Sequence, residues 1–156
     1  MKLPYSILPA KPKDFKELTS ITKHSKAYWG YTGTQLKMWE DELTVSAPYI
    51  EKNIVKKVIN KEQILGYYAL HPPKNTSIYL EMLFILPKYI GKGIGKLLLE
   101  DAFMKAKALG CKEMSLKADP NATNFYLKFG FKIIDKEESS IPGRYLPIMV
   151  KTFENL

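Results

Sequence analysis

The sequence predicts an α/β (α+β) fold: a mixed, twisted sheet of about six to seven strands flanked by helices. Three observations carry this. First, Tyr79 to Leu86 is rich in β-branched and aromatic residues and reads as a strand; a glycine loop, a long apolar-periodic helix and a second strand over Lys112 to Lys117 follow it. Strand, helix, strand in that order implies a parallel pair joined by a crossover. Second, Ile54 to Ile59 and Ile64 to Leu70 flank the tight turn Asn60-Lys61-Glu62, an antiparallel hairpin. Third, 156 residues with 46% hydrophobic content fit one domain with one sizeable core, expected to take in residues 1–156.

In chain order, Tyr5 to Leu8 reads as a short first strand. Pro12 stands at a helix start, with Asp14 and Glu17 in the early turns where the helix dipole favours carboxylates. Phe15, Leu18, Ile21 and Thr22 mark its inner face. A second helical region is broken near Gly30 and Gly33 and crowded with Tyr28, Trp29, Tyr31 and Trp39. Core packing accounts for Trp39. For Tyr28, Trp29 and Tyr31, beside glycines, core packing and the wall of a substrate pocket are both open, because aromatics with polar tips line pockets. Ser46 is placed to cap a short helix through Ile50 to Asn53. His71 to Asn75 is a loop. After the crossover, Pro120 or Asn121 starts a short helix that ends at Gly130. Phe131 to Ile134 begins a strand, and Arg144 to Thr152 forms a last one, reached through S-S-I-P-G.

The chemistry concentrates between Pro87 and Gly110. Gly91, Gly93 and Gly95 alternate ahead of a helix whose stripe is Ile94, Leu98, Ala102, Ala106 and Leu109, widened by Leu97, Leu99 and Phe103. The first turn of a helix leaves amides without partners, and its dipole adds positive charge there. Glycine permits close backbone approach. Lys88, Lys92 and Lys96 add full charges. Together these make a phosphate cradle. It is not a nucleotide P-loop, because Leu97 follows Lys96 where Ser or Thr is needed. It is not the dinucleotide fingerprint, because only Ile94 separates Gly93 from Gly95.

The formal net charge is +8. The lysines are scattered rather than blocked, which disfavours nucleic acid and suits a small anionic ligand or a solvated surface. No apolar run is long enough to span a membrane, and the opening M-K-L-P-Y-S-I-L-P-A lacks the apolar centre of a signal peptide. Cys111 is the single cysteine, so no intrachain disulfide forms; it reads as a small apolar strand residue. A cytoplasmic location follows as the simplest expectation. Two separated histidines and one cysteine give no metal-ligand spacing.

The segment L-F-I-L-P-K-Y-I-G-K-G-I-G-K-L-L resembles the acetyl-CoA-binding motif of the GCN5-related N-acetyltransferases. There Arg or Gln, two residues, Gly, one residue, and Gly or Ala wrap the CoA pyrophosphate. Ile90, Gly91, Lys92, Gly93, Ile94 and Gly95 match those positions. Ile90 departs from Arg or Gln. The family uses the backbone amide of this residue, so binding is expected to survive, although an isoleucine side chain offers the phosphates no donor. A second segment, A-x-x-F-Y-x-K-x-G-F, is similar to the family's other motif through Ala122, Phe125, Tyr126, Lys128, Gly130 and Phe131. Asp119 stands where the family has Asn, which leaves Asp119 and Asn121 as alternatives for the contact with the CoA arm; Asn121 is preferred. The resemblance covers Leu80 to Phe131, and the N-terminal third by element order only.

What the resemblance implies is a domain of this acetyltransferase fold with a splayed central parallel pair, and direct attack of an amine on acetyl-CoA without a metal. The freed backbone of Phe84 and Ile85 would bind the pantetheine arm and thioester. Residues 90–96, including Lys96, would hold the pyrophosphate. Tyr126 would stand beside the thioester sulfur and protonate the CoA thiolate, a phenol having a pKa of about 10. Phe125 is then assigned to the core. Glu81 is the base, acting directly or through water. It is the only charge in its strand, shares a face with Tyr79, Leu83 and Ile85, and is expected to be desolvated; a structural ion pair is the other reading. His71 is the rival base but reads as solvent-facing, as does His24. Arg144 could bind a substrate carboxylate or phosphate beside Trp29 and Tyr31, or pair with Glu137 or Glu138. The acceptor is a small-molecule or peptide amine, with no nucleic-acid or membrane partner, and family members are often homodimers. A non-catalytic basic binding module and an acyl-CoA sensor are the alternatives on the same fold.

Overall fold

The computed structural model describes residues 4–153. Strands β1 (Ser6–Pro9), β2 (Ile54–Asn60), β3 (Gln63–Leu70), β4 (Ser77–Ile85), β5 (Glu113–Lys117), β6 (Lys132–Glu138) and β7 (Tyr145–Thr152) pair in the order β1-β2-β3-β4-β5-β7-β6. The helices are α1 (Phe15–Tyr28), α2 (Gly33–Met38), α3 (Glu40–Leu43), α4 (Ala47–Lys52), α5 (Ile94–Ala108) and α6 (Thr123–Lys128). The chain divides into two compact units. One comprises residues up to Pro72 with Met82–Ala102; the other comprises Pro73–Glu81 with the chain from Phe103 onward.

In the first unit, β2 pairs antiparallel with β1 and with β3, the latter through the hairpin turn at Lys61, which takes a positive φ of 58°. Helix α1 buries Leu18, Ile21, Thr22 and Ser25, the i, i+3, i+4, i+7 spacing of one helical face. Leu18 and Ile21 join Val45, Ile50, Val55, Ile64, Tyr67, Ala69 and Met82 in one core cluster, with Phe84 and Leu86 packed against it. Thr22 and Tyr67 share a hydrogen bond between hydroxyls inside that cluster, so neither polar tip is left unpaired. Ser46 caps α4 as expected, accepting from the Tyr49 amide at 3.1 Å.

Gly66, in the middle of β3, has a specific reason. A Cβ there would lie 2.7 Å from the Phe84 carbonyl oxygen and 3.3 Å from Ile85 Cα. The end of β4 can approach β3 this closely only because position 66 has no side chain. The Leu86 amide donates to the Leu65 carbonyl at 2.9 Å and fixes where β4 ends. Tyr68 donates to Asp101 Oδ2 at 2.6 Å, which ties β3 to the first half of α5.

In the second unit, β4 and β5 are parallel, as the crossover implies, but their ladder holds only Ser77↔Glu113, Ile78↔Met114 and Tyr79↔Ser115. Past Tyr79 no described ladder pair joins Leu80 or Glu81 to β5. β5 and β6 each pair antiparallel with β7. β6 runs from Lys132 to Glu138, and every residue of it is exposed. Phe131 lies outside the strand and is buried, with its ring 5.9 Å from Phe103. Ile94, Leu98, Leu99, Ala102 and Ala106 of α5 are buried as expected. Leu109 is not: it is 43% exposed, because the helix stops at Ala108 and Gly110 turns the chain with φ +80°.

Candidate functional site

The sequence-predicted site residues fall into two groups, one in each unit. In the first unit, β4 delivers Phe84 and Ile85 to a 3-10 turn at Pro87–Tyr89, then extended Ile90, then the glycines and α5. Gly91 and Gly93 have φ of +84° and +82°, values that disfavour any side chain, and a Cβ on either would meet nothing within 4 Å. The Leu97 amide donates to the Gly93 carbonyl at 3.1 Å, and no described hydrogen bond takes the amides of residues 91–96. The loop therefore presents open backbone donors at the positive end of a 15-residue helix. Ile90 differs from expectation. Its amide donates to the Pro87 carbonyl at 3.2 Å, closing the 3-10 turn, so its own donor is already engaged.

The three lysines of the loop are exposed. Lys88 and Lys92 stand over the Tyr89 ring, at 5.9 and 5.4 Å from its centroid. Lys96 approaches Glu100 at 3.9 Å, both side chains being more than half exposed, so solvent screening leaves the pair little energy. None of these contacts makes a strong internal claim on its lysine.

Also in this unit is the aromatic segment. Gly30, at φ +87°, ends α1, and Thr32 starts α2 with a reciprocal cap to Gln35. Trp39 is 5% exposed and belongs to the interior, as expected. Tyr31 packs edge-on to it at 4.9 Å, and Lys26 lies over both rings. Tyr28 and Trp29 stack with each other at 5.0 Å and are 54% and 43% exposed, which removes the core-packing reading for those two.

The second unit holds Glu81, Asn121, Tyr126 and Arg144. Tyr126, on α6, is buried with its ring 5.2 Å from Phe125 and 5.5 Å from Phe131. Phe125, the residue assigned to the core, is only half-buried. The short helix turns its tyrosine inward because Phe131, just past Gly130, supplies the apolar wall there. None of the described hydrogen bonds involves the Tyr126 hydroxyl. Burial, then the Asp119 carboxylate, then Tyr79 push this phenol well above the usual tyrosine range, so it keeps its proton at neutral pH.

Glu81 departs from its expected setting: it is exposed. The tyrosine on its face is Tyr79, which is half-buried. Burial pushes that phenol up, the Lys117 ammonium opposes the rise, and Glu81 adds to it. Arg144 has a described partner in Asp119. Its Nη2 donates to Asp119 Oδ2 at 3.1 Å. Glu137 takes Lys117 at 2.8 Å, and Glu138 accepts from the Gly143 amide at 3.3 Å. Asp119 Oδ1 accepts from both the backbone and the side-chain nitrogen of Asn121, each at 2.9 Å, so the two candidates for the CoA-arm contact are bonded to each other. His71 is half-buried rather than solvent-facing, whereas His24 is exposed and bonded to Ser20. Cys111 is buried just ahead of β5, and burial pushes its thiol up, away from a reactive thiolate.

Sequence reasoning passed over Gly66, although a glycine inside an apolar strand run signals close backbone approach. It also missed the Asp119–Arg144 pair, for which 25 residues of separation left no local signal. Among the described residues no cluster of His, Cys, Asp or Glu could hold a metal ion, and no helix is long and apolar enough to cross a membrane.

Known proteins are similar to this chain. The peptidyl-lysine N-acetyltransferase YjaB of Salmonella typhimurium is 30% identical over 92 residues, 59% of each chain, so the match spans about three fifths of that protein's length. The crystal structure of PaiA N-acetyltransferase from Thermoplasma acidophilum, in complex with coenzyme A, superposes with a TM-score of 0.81 at 22% identity, covering 96% of this chain and 99% of that one. A GCN5-related N-acetyltransferase structure from Rhodopseudomonas palustris gives 0.80 at 21% identity, covering 95% of each chain. These two structures establish the fold. The family model described as Acetyltransferase (GNAT) family matches residues 18–131, which take in both the glycine loop and the α6 segment, and the chain belongs to that family.

Proposed function

We propose that the chain is an N-acetyltransferase that transfers acetyl from acetyl-CoA to a primary amine of a small molecule or peptide. One observation carries this reading. Gly91 and Gly93 hold left-handed backbone with open space in front of them, beside helix-start amides that none of the described hydrogen bonds takes. That is donor chemistry suited to the diphosphate of a CoA-type ligand. The names of the relatives point the same way: the Salmonella protein is a peptidyl-lysine N-acetyltransferase and the Thermoplasma structure carries coenzyme A.

In this reading the amine nitrogen forms its bond to the thioester carbonyl carbon, the C–S bond breaks, and the electron pair leaves on sulfur. Tyr126 gives its proton to that sulfur. Glu81, directly or through water, takes the proton the nitrogen sheds; its exposed position favours the water route. The products are an amide and a free thiol. Residues 91–96 hold the diphosphate, the Phe84 and Ile85 backbone and Asn121 hold the arm, and Trp29 and Tyr31 meet the acceptor. The test is thiol release from acetyl-CoA against a panel of primary amines and lysine peptides. Amine-dependent release is expected. Absence of release with every amine, together with absence of CoA binding, would remove the reading.

A further inference from the structure

We propose that Arg144 is a positioning residue for Tyr126, acting through Asp119, and not a contact for the acceptor. This rests on the reading of Tyr126 as the proton donor. The geometry is a chain of bonds. Arg144 closes the β6–β7 turn: its amide donates to the Ile141 carbonyl at 3.1 Å, and its carbonyl accepts from the Ser139 amide at 2.8 Å. From that turn its guanidinium reaches Asp119 Oδ2 at 3.1 Å, with both side chains only 15% exposed. Asp119 heads the 3-10 turn Pro120–Ala122, which leads directly into α6. Its other oxygen accepts from Asn121, and its carbonyl accepts from the Ala122 amide at 2.8 Å. One arginine thus fixes the carboxylate that starts the segment carrying Tyr126.

The pair also has an electrostatic effect. A carboxylate facing a buried phenol disfavours its ionisation, and a phenol that holds its proton too tightly is a poor acid. Asp119 is such a carboxylate. The other titratable group that acts on Tyr126 is Tyr79 from β4, which is itself influenced by Lys117, Glu81 and Glu137; Lys117 and Glu137 are paired with each other. The Arg144 cation offsets the Asp119 charge in a poorly screened setting and so moderates its effect on Tyr126. A purely structural strut predicts the same direction of change from removing either partner. The electrostatic role predicts opposite directions.

The experiment places 2,3,5-trifluorotyrosine, a more acidic phenol, at position 126 in the full chain and follows its titration by fluorine NMR. Asp119→Asn, which keeps an oxygen for the cap, should lower the midpoint by about one pH unit. Arg144→Gln should raise it, Arg144→Lys should return it toward the parent value, and the double variant Asp119→Asn/Arg144→Gln should fall with Asp119→Asn. In the unlabelled enzyme, Arg144→Gln should lower kcat about tenfold with KM for acetyl-CoA nearly unchanged. Midpoints that shift the same way in both single variants, or in neither, overturn the proposal. If Tyr126→Phe keeps full turnover, the donor role fails, and the fluorine midpoints still decide whether the pair controls this tyrosine.

Discussion

The Phe84 carbonyl occupies space that any side chain on Gly66 would need, at 2.7 Å from the position of a Cβ. The obstacle is backbone, which cannot swing aside as a side chain could, so relief requires β4 to move at Phe84 and Ile85. Gly66→Ala should therefore destabilise the protein by about 1–3 kcal/mol. It should also weaken acetyl-CoA binding, since those two residues are proposed to hold the arm. Chemical denaturation and calorimetry check the two effects; unchanged stability would show that the approach is not constraining.

Tyr126→Phe removes one oxygen from a ring that packs against Phe125 and Phe131, so the fold should tolerate it. Turnover should fall about a hundredfold or more, the range for loss of a general acid, while KM for acetyl-CoA stays within about twofold. Steady-state kinetics at saturating amine measure this. Wild-type turnover would take Tyr126 out of the reaction.

Asp14 gives a pH prediction. Its Oδ2 accepts from Lys57 Nζ at 2.7 Å and from the Lys11 amide at 2.8 Å, with the side chains 13% exposed for Lys57 and 7% for Asp14. Burial alone would raise this carboxyl, but the Lys57 ammonium and the Lys11 amide outweigh it and hold it below the ordinary value of 3.8. A depressed carboxyl contributes stability that is fully present above its unfolded value and is lost as pH falls through the folded one. The urea midpoint should therefore drop as pH is lowered below about 4, and Asp14→Asn should remove that part of the drop. Lys57→Met at neutral pH leaves the carboxylate buried without its cation and should cost about 3 kcal/mol.

Most of the fold was legible because its signals are local. The apolar spacing of α1 and α5, the hairpin around Lys61 and the strand-helix-strand order each need only a short window of sequence. The glycine loop was legible for the same reason, since left-handed backbone at Gly91 and Gly93 needs glycine. What escaped is non-local. Nothing near Glu81 shows that its strand buries the opposite face, Ile78, Leu80 and Met82, and leaves the carboxylate exposed. Nothing near Phe125 and Tyr126 shows which ring turns inward, because Phe131 decides it from beyond the helix. The Arg144 partner was missed because Glu137 and Glu138 lie nearer in the chain, while β5 supplied Lys117 to one of them. Likewise, the engaged amide of Ile90 follows from the 3-10 turn at Pro87, not from the motif.

The most direct measurement is calorimetric titration of coenzyme A into the parent chain and into Gly93→Asp. A side chain at φ +82° strains the loop, and its carboxylate would face the diphosphate. Binding to the variant should be at least about a hundredfold weaker, or some 2.7 kcal/mol, with the fold intact by circular dichroism. Equal affinity in the two proteins would contradict a cradle at the start of α5, and with it the proposed acetyl transfer.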